Sequence, residues 1–156
     1  MNQGLGTQLR HLIELLDGDV ALAYEEAGLD YRPRYTPVMR ALGSKGQLAI
    51  GEIAAFAGIT QPAATQTVAL MKKQGLVKVV AGEDGRQRLV TLSAAGRAML
   101  PRLQRCWAAT SAAAKSLDAE LDHPLSAAMA QAIVALQASP FIERIRAARS
   151  STGETP

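Results

Sequence analysis

With Cys106 as its only cysteine, the chain cannot close an internal disulfide, so packing alone must hold it together. A lone cysteine on an apolar helix stripe reads as a packing residue and suits a reducing compartment. Aromatic residues make up only 4% of the sequence while alanine is abundant, which favours helices packed closely through small side chains. No apolar run approaches the roughly 20 residues needed to cross a bilayer. The opening residues, MNQGLGTQLR, lack the basic-then-apolar order of a secretory signal. A cytoplasmic protein with no membrane partner is expected. Also missing are a nucleophile paired with a base, paired carboxylates and a glycine-rich phosphate loop. Gly4 with Gly6 and the turn from Gly82 to Gly85 are too short and wrongly placed for such a loop. His11 and His123 have no companion at metal-ligand spacing. Neither an enzyme nor a metal or cofactor is expected.

What is present is a biased charge distribution. Residues 1–30 carry one arginine against six acids, residues 31–92 carry nine Lys and Arg against three acids, and residues 93–156 carry seven against five. The basic excess is confined to the middle, as it would be if that part alone faced a polyanion.

Apolar spacing organises the rest. Leu5, Leu9, Leu12, Leu16, Val20, Tyr24 and Ala27 recur at steps of three or four and predict a long first helix ending at Gly28. The connector RPRYTP leads to a short helix around Val38 to Leu42. IGEIAAFAG then reads as a short helix closed by Gly58. Thr60 caps the next helix, Gln61 to Gln74, with Pro62 in its first turn and Ala64, Val68 and Met71 on its buried side. LVKVVA and RLVTL, separated by GEDGRQ, read as a hairpin. Ser93 caps a long helix whose stripe runs from Met99 through Leu103, Cys106 and Leu117 to Leu121. A last helix follows Pro124 with Leu125, Met129, Ile133 and Leu136 on one side, broken at Pro140, after which RIRAARSSTGETP is expected to fray.

Two short helices with a tight, small-residue turn, followed by a hairpin, form the pattern of a winged helix-turn-helix. The outer face of the second helix offers Gln61, Ala63, Thr65, Gln66 and Ala69, short or amide side chains able to reach base edges in a major groove. Arg32, Arg34, Arg40, Thr60, Lys72 and Lys73 are candidate phosphate contacts. Arg86 and Arg88 on the hairpin suit a narrow minor groove, with Asp84 placed to orient the Arg86 guanidinium. The fold class expected is mainly α with a small β-hairpin wing. Residues 1–30 and 97–148 would form a helical dimerisation region, residues 31–96 the winged DNA-binding region and residues 149–156 a flexible tail. Dimerisation is expected because the apolar stripes of the end helices exceed what the small basic middle can cover.

The segment IGEIAAFAGITQPAATQTVALMKKQGLV, followed by DGRQRLVTLSAAG, resembles the MarR (multiple-antibiotic-resistance regulator) family of bacterial transcription factors. Asp84 and Arg86 stand at the family's wing Asp-x-Arg. Leu92, Ser93 and Gly96 match its Leu-Thr-x-x-Gly, with serine for threonine. Gln66 stands where many members have arginine, and Val79 and Val80 stand where basic residues are common. The resemblance implies a homodimer with interlocking terminal helices, recognition helices in successive major grooves of double-stranded DNA, and a wing arginine in the minor groove. It also implies a small aromatic or anionic effector, for which Arg10, His11, Tyr31, Tyr35 and Trp107 are the candidate lining residues. A winged-helix module that binds another protein, with incidental DNA affinity, is the rival reading.

Overall fold

The computed structural model describes residues 4–151. It falls into two compact units, one up to Thr110 and one from Ser111, and the division lies inside a single long helix.

The first unit opens with α1, Leu5–Glu26, which ends where Leu29 N–H returns to the Tyr24 carbonyl at 2.9 Å. A 3-10 turn, Pro33–Tyr35, leads into α2, Thr36–Lys45. This helix is about twice as long as the apolar spacing predicts, because Pro37 fits its first turn and Val38, Met39, Ala41 and Leu42 all face the core. A two-residue strand β1, Gln47–Leu48, precedes α3, Ile50–Ala57, and α4, Gln61–Lys73. Strands β2, Val77–Ala81, and β3, Arg88–Leu92, pair antiparallel from Val77 opposite Leu92 to Ala81 opposite Arg88. β1 adds to the far side of β3, giving the order β1-β3-β2. The expected hairpin is therefore two strands of a three-stranded sheet. β1 is too short to show alternation in sequence, and it exists because Gln47 and Leu48 find Thr91 and Val90.

The core of this unit lies beneath α2, α3 and α4. Ile53 and Met71 are fully buried, and each contributes about 1.5–3 kcal/mol by leaving water. Ala64 and Val68 join Met71 on the buried face of α4, as the spacing predicts, and Thr67 lies there too. Val77, Val90 and Leu92 bring the sheet into the same core, and Leu103 brings in α5, Ala94–Glu120. Cys106 is half-buried and packs against that core, as its stripe position implies.

In the second unit the end of α5 is followed by α6, Leu125–Ala138, and α7, Phe141–Ser151, which meet at a bend of 77°. Asp118 anchors the start of α6, accepting from the Ser126 backbone N–H at 3.1 Å and from its hydroxyl. Those contacts hold its carboxyl below the ordinary range, the hydroxyl acting most strongly. The segment expected to fray after Pro140 is instead helical to Ser151, so residues 149–151 are not a tail; residues 152–156 lie outside the described residues. Proline breaks α6 but is tolerated just ahead of α7, where the Glu143 N–H closes onto the Pro140 carbonyl at 3.0 Å. Among the described residues no single helix is long and apolar enough to cross a membrane; α6 and α7 reach that length and apolarity only as a bent pair.

Candidate nucleic-acid interface

The turn between α3 and α4 is built from main-chain geometry. Glu52 reaches back to accept from the Ala49 N–H at 2.7 Å and starts α3. Gly58, at φ 65°, ends it in the left-handed region, where a side chain would be strained, and Ile59 N–H closes onto the Ala54 carbonyl at 3.1 Å. Thr60 begins α4 immediately, its hydroxyl accepting from the Ala63 N–H at 3.3 Å. Thr60 thus has a defined structural role as a cap.

The buried positions of α4 dictate which side chains remain outside. Gln61, Thr65, Gln66 and Ala69 are exposed and Ala63 is half-exposed, while Lys72 and Lys73 are exposed at the C-terminal end. The Thr65 hydroxyl donates to the Gln61 carbonyl at 2.9 Å, which leaves its methyl and acceptor lone pairs for an outside partner. Arg32 and Arg34 are exposed beside the 3-10 turn. Arg40 is exposed as well, but its guanidinium lies 4.7 Å from the centre of the Trp107 ring, which ties it to α5.

At the wing, Asp84 acts differently from the sequence reading. Its Oδ1 accepts from the backbone N–H groups of Arg86 and Gln87, at 3.0 and 3.1 Å, not from the Arg86 guanidinium. These bonds, that from Gln87 foremost, hold the carboxyl below its ordinary range. Asp84 therefore shapes the loop, together with the Gly82 N–H bond to the Gln87 carbonyl at 2.7 Å. Arg86 on that loop and Arg88 at the start of β3 are both exposed.

Ser93 and Gly96 lock the wing to α5. The Ser93 hydroxyl donates to the Gly75 carbonyl at 2.6 Å and accepts from the Gly96 N–H at 3.0 Å, while the Ser93 N–H reaches the Leu76 carbonyl at 2.9 Å. A hydroxyl is all this junction asks, so serine serves here as well as threonine would.

The candidate effector residues do not form one group. Tyr31 and Tyr35 are buried with ring centres 5.6 Å apart, and Tyr24, which is not among the residues expected from the sequence, stands 4.8 Å from Tyr31. Trp107 is half-buried and its indole N–H donates to the Tyr24 hydroxyl at 3.0 Å. The Tyr24 and Tyr31 hydroxyls both lie 3.4 Å from Thr36 Oγ1. Arg10 and His11 are exposed on α1, about 20 Å along the helix from Tyr24. Tyr24 could have been found from the sequence, because it lies on the same predicted stripe as Val20 and Ala27.

Burial pushes the Tyr31 phenol well above its ordinary value of 10.0, partly offset by its Thr36 hydrogen bond. In the unfolded chain the same group ionises near pH 10, so its contribution to stability is complete below that pH and declines as pH rises toward the folded value. The melting temperature should fall more steeply above pH 10 for the wild type than for Tyr31→Phe; parallel curves would show that Tyr31 is not the group responsible.

An exposed polar helix presented by a tight turn, with a basic wing beside it, defines a winged helix-turn-helix protein. Residues 28–87 match the model of the MarR family, which bears out the resemblance seen in the sequence. No curated protein matches the chain. Among solved structures, the chain is similar to the M. tuberculosis transcriptional regulator MosR in complex with DNA, at 22% identity and a TM-score of 0.66, covering 87% of this chain and 96% of that one. It is also similar to the PcaV transcriptional regulator from Streptomyces coelicolor in complex with its natural ligand, at 20% identity and TM-score 0.59, covering 89% and 98%. A third similar structure is the MarR family transcriptional regulator SPO1453 from Silicibacter pomeroyi, at 22% identity and TM-score 0.59, covering 85% and 94%. The mainly helical winged fold expected from the sequence is thus the observed one.

Proposed function

We propose that this chain is a cytoplasmic DNA-binding transcriptional regulator, a repressor, which acts as a homodimer on a pseudo-palindromic operator and has no catalytic role. The observation that carries this reading is the outer face of α4, where Gln61, Thr65, Gln66 and Ala69 are exposed together ahead of Lys72 and Lys73. Amide side chains can pair with adenine in bidentate fashion, and the lysines and wing arginines can meet phosphates and a narrow minor groove. The MosR structure contains DNA, which supports the same use of the fold here.

Residues 31–96 would make the DNA contacts, and residues 1–30 with 97–148 would dimerise. Leu5, Leu9, Ile13 and Leu16 on α1 are exposed, as are Met129, Ile133, Val134 and Leu136 on α6, and each helix thus has apolar side chains that a second copy can cover. A small aromatic or anionic effector would act through the region of Tyr31, Tyr35 and Trp107, with Tyr24 and Arg40 added to the set. PcaV, which holds its natural ligand, supports the presence of an effector.

Selection of duplexes from a randomised library by the wild-type protein, followed by anisotropy titrations, tests the reading. Arg86→Ala should weaken binding by about 1–3 kcal/mol at fixed salt without changing the melting temperature. Gln66→Ala should change the base preferred at one symmetric pair of positions, whereas Lys72→Ala should weaken all sequences alike and lower the salt slope by about one. Failure of the wild type to enrich any duplex would reject the proposal in favour of a protein-binding module.

A further inference from the structure

Residues 27–30, the first part of the link that follows α1, are held from two sides. The Gln74 side chain, at the C-terminal cap of α4, donates through Nε2 to the carbonyl of Asp30 at 2.6 Å, bridging 44 positions of sequence. From α5, Arg102 Nη2 donates to the carbonyls of Ala27 and Gly28, the latter at 3.4 Å. Three main-chain acceptors of one short link are therefore taken by side chains of two other elements, and Leu29, between them, is buried. α4 also rests on the core through the apolar face of Ala64, Val68 and Met71, and its N-terminal end is tied to α3 by the turn in which the Ile59 N–H meets the Ala54 carbonyl. Apolar contact is non-directional and resists withdrawal of the helix more than it resists tilt. A hydrogen bond from the helix end to a fixed carbonyl is directional.

We propose that Gln74 is a positioning residue that fixes the tilt of α4 against the link from α1, and thereby sets which spacing of two half-sites the protein accepts. The inference rests on the DNA-binding homodimer proposed above. α4 has 13 residues and is about 20 Å long, so a tilt of roughly 10° about its N-terminal end, which the turn to α3 holds, moves its C-terminal end, where Gln74 sits, about 3.4 Å, the rise of one base pair. An α4 free to tilt would accept neighbouring spacings.

The test uses a library of duplexes in which two half-sites are separated by spacers of graded length. The wild type is expected to prefer one spacing. Gln74→Met, which keeps length and neutrality but removes the donor, should show the same base preferences, the same salt slope and a melting temperature lower by no more than about 5 °C. Its preference for the best spacing over spacings one base pair longer or shorter should fall about three- to tenfold, the worth of one such hydrogen bond. Arg102→Met, which frees the other side of the link, is the second variant and should relax spacing in the same direction. A wild type indifferent to spacing, variants as selective as the wild type, or an equal loss of affinity at every spacing for Gln74→Met, which would make it a phosphate contact, each overturns the inference. A wild type that enriches no duplex at all overturns the DNA-binding reading itself, so the two failures are distinguishable.

Discussion

Gly96→Ala is expected to lower stability by about 3 kcal/mol, a fall in melting temperature of roughly 6–12 °C for a chain of this size. A Cβ on Gly96 would stand 2.2 Å from the Leu76 carbonyl oxygen and 3.2 Å from its carbon. That oxygen cannot move aside cheaply. It accepts the Ser93 N–H bond that joins the base of the wing to α5, and Leu76 itself is buried at the start of the sheet. Relief requires the first turn of α5 to lift from the sheet, which strains the Ser93 hydroxyl bonds to Gly75 and Gly96 as well. Gly18→Ala supplies the opposite control, because that glycine is inside α1 with nothing within 4 Å of the added carbon. It should stabilise the helix by up to about 1 kcal/mol. Calorimetry on both variants decides the point, and a Gly96→Ala protein that melts with the wild type would mean that the close approach to Leu76 is not present in solution.

The second large effect is expected on assembly. Leu9→Glu combined with Ile13→Glu should convert a dimer at micromolar concentration into a species near 16.5 kDa and reduce affinity for the selected duplex at least about 100-fold. Leu9 is 39% and Ile13 54% exposed in the single chain, so neither substitution opens a cavity in the unit that carries α4 and the wing. Two charged side chains at a buried interface would instead be left without partners. The affinity loss follows because a monomer holds one recognition helix, and the gain from engaging two half-sites at once disappears. Sedimentation equilibrium and anisotropy on the same preparation give the answer. A doubly substituted chain that still sediments as a dimer would place the interface elsewhere, and one that is monomeric yet binds as tightly as the wild type would remove the need for two half-sites.

The local chemistry of this protein is legible residue by residue in its sequence. Apolar steps of three and four located α1, α4 and α5, and the Gly58-Ile59-Thr60 run located the turn between the two helices of the motif, because helix periodicity and capping depend on neighbours a few positions away. The outward side chains of α4 followed once Ala64, Val68 and Met71 were assigned inward. Tertiary structure alone decided the rest. Strand β1 exists only because β3 offers an open edge to Gln47 and Leu48. The Asp84 carboxylate, whose spacing from Arg86 suits a guanidinium, serves two backbone N–H groups instead, since the turn brings these within 3.1 Å. Arg40 was drawn to Trp107, 67 positions away, and Gln74 to the Asp30 carbonyl. No pattern in the chain encodes such pairings. They arise when packed helices bring distant main-chain and side-chain groups into hydrogen-bonding or ring contact, and the position of each partner is fixed by the whole core.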